Sequence, residues 1–205
     1  KLGAHLINAM TQQTDALSLF GFGGDLMQQA GADILMHSRE LAIVGIIEVI
    51  KKFSIVRKAF KIIRHTLKHR TPDLVILIDY PGFNLRVAKL AKRANIPVFY
   101  YASPQIWAWK YNRIKVIRNC VDHMAVLFPF EEKLYHREQV PATFVGHPLA
   151  ETAKVSMSRD QAYRHFQCDP DRPIVGLFPG SRGQEIDACL PVIAQAIPLI
   201  EAKLP

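Results

Sequence analysis

Cysteine is scarce: 205 residues hold three, Cys120, Cys168 and Cys189, with no Cys-x-x-Cys pair. An odd number of widely spaced thiols excludes a disulfide framework, offers no zinc-ligand spacing and points to a reducing compartment. Long apolar runs are missing too. None approaches the roughly 18 residues needed to span a bilayer, and the N-terminus lacks the charged, apolar and small-residue succession of a signal peptide, so a soluble or peripheral chain is expected. There is no internal repeat or low-complexity tract. No initiator Met and no N-cap residue precede KLGAHLINAM, whose Leu2, Leu6, Ile7 and Met10 already have helical spacing. At the other end, LPVIAQAIPLIEAKLP finishes inside a helix-like pattern interrupted at Pro198. The chain therefore reads as a piece of a longer one. Acids are absent from residues 51–70, which carry eight Lys or Arg and two His within a chain of formal charge +8.

What is present is ample apolar material, 49% of residues, enough for a packed core. Its rhythm is a short β-branched run, a turn, then a longer amphipathic run. Residues 16–24, 32–36, 73–79, 96–103, 121–128, 141–146 and 172–180 read as strands. Helical spacing covers 45–69, 83–94, 110–119, 130–138 and 184–203. Strands that are apolar throughout fit a parallel sheet covered on both faces, and the alternation predicts an α/β, doubly wound, Rossmann-like fold. The polar stretch 150–172, with a short helix expected at 158–166, reads as a linker between a domain at 1–149 and the start of another at 173–205.

In an open parallel sheet, ligands bind beyond the carboxyl ends of the strands. GFGG (21–24), DYPGFN (79–84), ASPQIWAW (102–109), GHP (146–148) and PGSRGQE (179–185) all fall there. Asp79 has two readings: an N-cap for the following helix, or a carboxylate held at a strand end to take a proton from a substrate hydroxyl. Asn84 would orient a substrate or bond to backbone. Gly180, Ser181 and Arg182 suit a diphosphate, with glycines relieving the turn, N–H groups opening a helix and a fixed cation beside them, although a plain strand-to-helix turn uses the same residues. Trp107 and Trp109, followed by Lys110, Arg113 and Lys115, form either a stacking platform with a basic edge or ordinary packing. His147 reads as a structural histidine.

The acid-free stretch repeats Phe53, Val56, Phe60, Ile63 and Leu67 at helical spacing and follows the greasy IVGIIEVI of 43–50. A basic amphipathic helix beside such a segment suggests an anionic membrane surface, or else a solvated face on a packing helix. Charge alone also admits nucleic acid, but no recognised module or aromatic-studded β platform accompanies it, and no nucleic-acid partner is expected.

Seven motifs occur in order: GFGGDLMQQAGADIL, ELAIVGIIEVI, PDLVILIDYPGFNLRVAK, NIPVFYYASPQIWAWK, LFPFEEKLY, VPATFVGHPL and LFPGSRGQEI. Together they resemble the lipid-A-disaccharide synthase family across nearly the whole chain. The resemblance implies the first domain of a two-domain inverting glycosyltransferase plus the start of the second. Such an enzyme joins UDP-2,3-diacylglucosamine to 2,3-diacylglucosamine 1-phosphate, releases UDP and forms the lipid A disaccharide precursor, needing no metal or cofactor. It also implies Asp79 as general base for the acceptor 6-hydroxyl. Gly180, Ser181 and Arg182 would hold the donor phosphates. Asn84, Ser103 and Trp107 would shape the acceptor cleft. Ile46, Ile47, Val49, Ile50, Lys51, Lys52 and Phe53, within the segment Gly45 to Val56, would meet acyl chains or the membrane. The implied location is cytoplasmic, peripheral on the inner face of the inner membrane of a Gram-negative bacterium. The family's glycine-rich N-terminal strand and acidic loop are expected before Lys1 and most of its uridine-binding domain after Pro205, which would leave the fragment inactive alone. The alternatives are another UDP-sugar enzyme of the same fold, such as an epimerase or a different glycosyltransferase, or a noncatalytic module docking on anionic lipid.

Overall fold

The computed structural model describes residues 1–41, 49–181 and 183–203, with backbone only for Leu41 and for residues 49–53 and 151–152. In chain order the elements are α1 (Leu2–Thr11), β1 (Phe20–Gly23), α2 (Asp25–Gln29), β2 (Asp33–His37), α3 (Ser38–Leu41) and α4 (Val49–His69). Next come β3 (Val75–Ile78), α5 (Pro81–Arg93), β4 (Val98–Tyr101), a 3-10 turn (Tyr111–Arg113), α6 (Ile114–Cys120), β5 (His123–Val126) and α7 (Pro129–Arg137). The last are β6 (Ala142–Phe144), α8 (Pro148–Thr152), α9 (Arg159–His165) and α10 (Gly183–Glu201). The chain divides into two compact units, Lys1–Ala153 and Lys154–Pro205.

The first unit is an α/β structure of Rossmann-like kind. Its four-stranded sheet has the order β3-β4-β5-β6 and is parallel throughout, with Val75 opposite Val98, Tyr100 opposite Met124 and Met124 opposite Ala142. Parallel neighbours need crossovers, and α5, α6 and α7 supply one each. Three helices that follow strands begin on proline (Pro81, Pro129 and Pro148), where the fixed φ suits the first turn and no N–H is wasted. The core joins Leu77, Val98, Tyr100, Met124 and Val126 from the strands to Leu67, Leu85, Ala88, Ile114, Ile117 and Tyr135 from the helices.

Strands β1 and β2 form a second parallel pair, with a register shift between Gly21 and Phe22. Side-chain contacts orient it. Near its start, Arg70 lies over the Phe20 ring at 3.8 Å and pairs with Asp33 at 2.8 Å; near its end, Phe22 packs on Phe83 at 6.2 Å. Arg70 precedes β3 and Phe83 follows it, so both sheets run the same way and their carboxyl ends share a rim. Lys58 of α4 meets Glu40, just past β2, at 3.2 Å, so the N-terminal part of α4 lies on the rim side.

In the second unit, α9 is capped by Ser158, and Gln161 bonds back to the Ser158 N–H. The helix α10 runs through Pro191 and Pro198, each costing a ladder hydrogen bond without ending it. The strand expected over 172–180 does not form. Ile174, Val175, Leu177 and Phe178 are exposed, and no described residue of that unit belongs to a strand that could pair with them. An apolar β-branched run becomes a strand only where a neighbour completes its hydrogen-bond ladder.

Candidate functional site

At the end of β3 the backbone turns through two consecutive left-handed residues, Asp79 (φ 47°) and Tyr80 (φ 46°). Eight described non-glycine residues have positive φ. Thr71, Asn95, Gln139 and Gln167 follow the C-termini of α4, α5, α7 and α9, a common way to end a helix; Asp79, Tyr80, Ala102 and Lys110 instead lie on the loops that leave β3 and β4. Left-handed non-glycine residues cost about 1–3 kcal/mol each and persist where the surroundings over-determine them. Here the surroundings are identifiable. Asn84 Nδ2 donates to the Ile78 carbonyl at 3.0 Å and to the Asp79 carbonyl at 2.6 Å, and Tyr100 Oη donates to the Asp79 carbonyl at 2.7 Å. The Asp79 N–H continues the ladder to the Tyr101 carbonyl at 3.1 Å. Thus the backbone of Asp79 is clamped, while its exposed carboxylate has no hydrogen-bond partner among the described residues. The cap reading fails, because the residue in the N-cap position of α5 is Tyr80 and no side chain caps that helix.

Tyr100 is fully buried. Burial, then the nearby Asp79 charge and the Tyr135 hydroxyl, push its pKa well above the tyrosine range, so it remains a donor at neutral pH. Tyr135, also fully buried, donates to the Pro104 carbonyl at 2.9 Å; burial raises it likewise, against a smaller lowering from Ser103. Ser103 Oγ is enclosed beside it with no well-aligned hydrogen-bond partner among the described residues. Glu131, 2% exposed, is the buried acid of the core. Its Oε2 accepts the Phe128 N–H at the start of α7, and its Oε1 accepts Trp107 Nε1 at 3.2 Å. Trp107 is half-exposed, edge-on to Phe130 at 5.2 Å; Phe128 stacks on Phe130 at 5.8 Å and lies 5.7 Å from His147. His147 Nδ1 accepts the Leu149 N–H and so caps α8. The structure therefore brings Asp79, Asn84 and Tyr100 together, and separately joins Trp107, Phe130, Phe128 and His147 through successive ring contacts, with Glu131 bonded to Trp107 and to the Phe128 N–H.

The same rim carries a charge cluster that the sequence reading missed. Asp25, at the start of α2, takes His37 Nε2 at 3.0 Å and the Arg39 guanidinium. The His37 hydrogen bond and then the Arg39 charge hold its carboxyl below the usual range.

In the second unit, Gly180 has φ +112° and packs so closely that a Cβ there would stand 2.7 Å from Glu185 Cβ. The Ser181 N–H donates to Glu185 Oε2 at 3.2 Å, so a carboxylate lies at the mouth of α10. Arg182, Ile46 and Ile47 lie outside the described residues, as do the side chains of Val49, Ile50, Lys51, Lys52 and Phe53. Among the described residues no cluster of His, Cys, Asp and Glu could hold a metal ion, and no described helix is long and apolar enough to cross a membrane.

A family model described as lipid-A-disaccharide synthetase matches residues 1–205. The chain is 52% identical over 204 residues to a lipid-A-disaccharide synthase of Coxiella burnetii (strain Dugway 5J108-111), covering 100% of this chain and 54% of the relative. It is 49% identical over 203 residues to one from Trichlorobacter lovleyi and 46% identical over 203 residues to one from Geobacter metallireducens, covering 99% of this chain and 53% of each relative. It thus spans about half the length of the curated relatives it matches.

Proposed function

Since the chain belongs to the lipid-A-disaccharide synthetase family, we propose that the protein built on it joins UDP-2,3-diacylglucosamine to 2,3-diacylglucosamine 1-phosphate. The observation that carries the chemistry is the clamped Asp79 backbone with its exposed carboxylate, which has no hydrogen-bond partner among the described residues. The acceptor 6-hydroxyl loses its proton to Asp79 as O6 bonds to the donor's C1. The C1–phosphate oxygen bond breaks with its electron pair leaving on UDP, which inverts the anomeric centre. Such a base contributes about 10²- to 10⁴-fold. Asn84 acts from behind Asp79, while Ser103 and the half-exposed Trp107 shape the acceptor cleft. Residues 1–149 form the acceptor-side domain, 150–172 the linker, and 173–205 begin the nucleotide-sugar domain. The test is an assay of the protein at its relatives' full length with both acylated sugars: UDP and β(1→6) disaccharide should appear in equal amounts. UDP release without disaccharide, or equal use of unacylated sugars, would sink the reading.

Gly180, Ser181 and Arg182 hold the donor diphosphate, which takes over the Ser181 N–H from Glu185 on binding. Gly180→Ala forces both a disfavoured φ and a 2.7 Å contact with Glu185 Cβ. It is expected to raise the dissociation constant for UDP at least about tenfold, the effect of a displaced binding loop worth roughly 1.4 kcal/mol; calorimetric titration of the full-length variant checks this.

The protein works at the inner face of the inner membrane, with residues 45–56 against acyl chains or headgroups. Arg57, Lys61, Arg64 and Lys68 recur at helical spacing along α4, are exposed, and form no ion pair with a described residue, whereas Lys58 is paired with Glu40. Each cation close to an anionic leaflet contributes about 1 kcal/mol. Replacing these four with alanine should cut co-sedimentation with anionic vesicles at least about tenfold; unchanged sedimentation would count against this surface.

A further inference from the structure

The loop between β4 and α6 has an anchored base and a projecting tip. At the base, Pro104 and Ile106 are fully buried, and Trp107 is tied to Glu131. At the tip, Trp109 is 54% exposed, Lys110 is left-handed with φ 56°, and Tyr111 is 46% exposed. Packing does not explain Trp109. Lys110 Nζ and Arg113 Cζ lie 4.6 and 4.7 Å from its ring centroid, so the ring is engaged by cations instead of being left open for a sugar or base to stack on. Residues 107–118 contain Lys110, Arg113, Lys115 and Arg118 and no acid. Glu138 takes Arg118 and the Tyr111 hydroxyl, leaving Lys110, Arg113 and Lys115 without an ion pair to a described carboxylate.

We propose that Trp109, with Lys110 and Arg113, is an anchor for an anionic bilayer, distinct from the surface assigned to α4. A tryptophan suits the interface because its body is apolar and its N–H stays wet, and adjoining cations match anionic headgroups. The loop leaves the carboxyl end of β4, on the rim that carries Asp79 and the Glu40–Lys58 contact. An inserted Trp109 therefore brings the rim to the layer where acylated sugars lie. The choice of a bilayer as partner rests on the proposed acylated substrates; the binding itself requires neither substrate nor turnover.

Trp107→Phe leaves Trp109 as the single tryptophan of the chain, which has two. Phosphatidylcholine vesicles containing phosphatidylglycerol should shift its emission to the blue, and acyl-chain-brominated lipids should quench it. Pure phosphatidylcholine should do neither, and added salt should reverse both effects. In the otherwise unaltered chain, Trp109→Ala and the pair Lys110→Ala, Arg113→Ala should each lower co-sedimentation several-fold with far-UV circular dichroism unchanged. Emission from Trp109 that ignores vesicles while the chain sediments would overturn the anchor, since contact would then lie elsewhere, as would failure of the chain to sediment at all. Capture by a soluble acidic protein with no response to vesicles would overturn it equally. If the Trp107→Phe chain shows the Trp109 response but the full-length protein with Trp107 in place makes no disaccharide, the anchor stands and the transferase reading falls. Disaccharide formation without a Trp109 response would do the reverse.

Discussion

Asp79→Asn in the full-length protein is expected to lower kcat about 10²- to 10⁴-fold, with KM for both sugars little changed and the fold intact. Asparagine is nearly isosteric and tolerates the left-handed conformation that Asp79 adopts (φ 47°). It retains the backbone groups that Tyr100, Asn84 and Tyr101 use. What is lost is the negative charge and with it the ability to accept a proton. Alanine would confuse the result, because it adds left-handed strain to the loss of the carboxylate. An effect on kcat without one on KM assigns Asp79 to the transition state rather than to substrate holding. Undiminished turnover in a folded variant would sink the base assignment.

The fold was legible where burial writes directly into sequence. The runs that became β3 and β4 are apolar throughout because neighbours cover both faces, whereas the starts of α5 and α7 lay one or two residues earlier than the spacing placed them, on Pro81 and Pro129, and the short α8 at Pro148 was not expected at all. Segment 172–180 looks the same to any local reading, yet lacks a strand, because pairing depends on a neighbour rather than on the run itself. The site was legible only in part. An acid before Pro-Gly has capping as its commonest role. A cap was ruled out by two successive left-handed residues, a conformation tyrosine seldom takes and no local pattern announces. Tyr100 was hidden because VFYY reads as plain strand, and the value of its hydroxyl depends on meeting a carbonyl 21 residues away. Glu131 was hidden because it stands beside half-buried Glu132 in an amphipathic helix, and its side-chain partner is Trp107, 24 residues earlier. Asp25, His37 and Arg39 converge because parallel strands end at one level, a relation that appears only once β1 and β2 pair.

The second large effect is expected at Asn84, which never needs to touch substrate. Its amide spans two successive strand-end carbonyls at 3.0 and 2.6 Å, and the second belongs to Asp79 itself. Asn84→Ala leaves Tyr100 as the remaining side-chain donor to that carbonyl and releases the Ile78 carbonyl altogether. Losing two such bonds costs roughly 1–3 kcal/mol, a fall in melting temperature of about 2–4 °C per kcal/mol for a protein of this size. The larger consequence is catalytic. With less to hold the left-handed turn, the carboxylate drifts, and a misplacement of about 1 Å can cost around 10²-fold; a drop in kcat of roughly 10- to 100-fold is therefore expected. A purely structural role would lower stability and activity alike whatever residue stood at 79. A positioning role makes a different demand: in the Asp79→Asn background, Asn84→Ala should lower stability by the same amount yet reduce kcat little further, because there is no base left to misplace. Fully additive losses in kcat would show that Asn84 acts elsewhere in the cleft, on the acceptor itself.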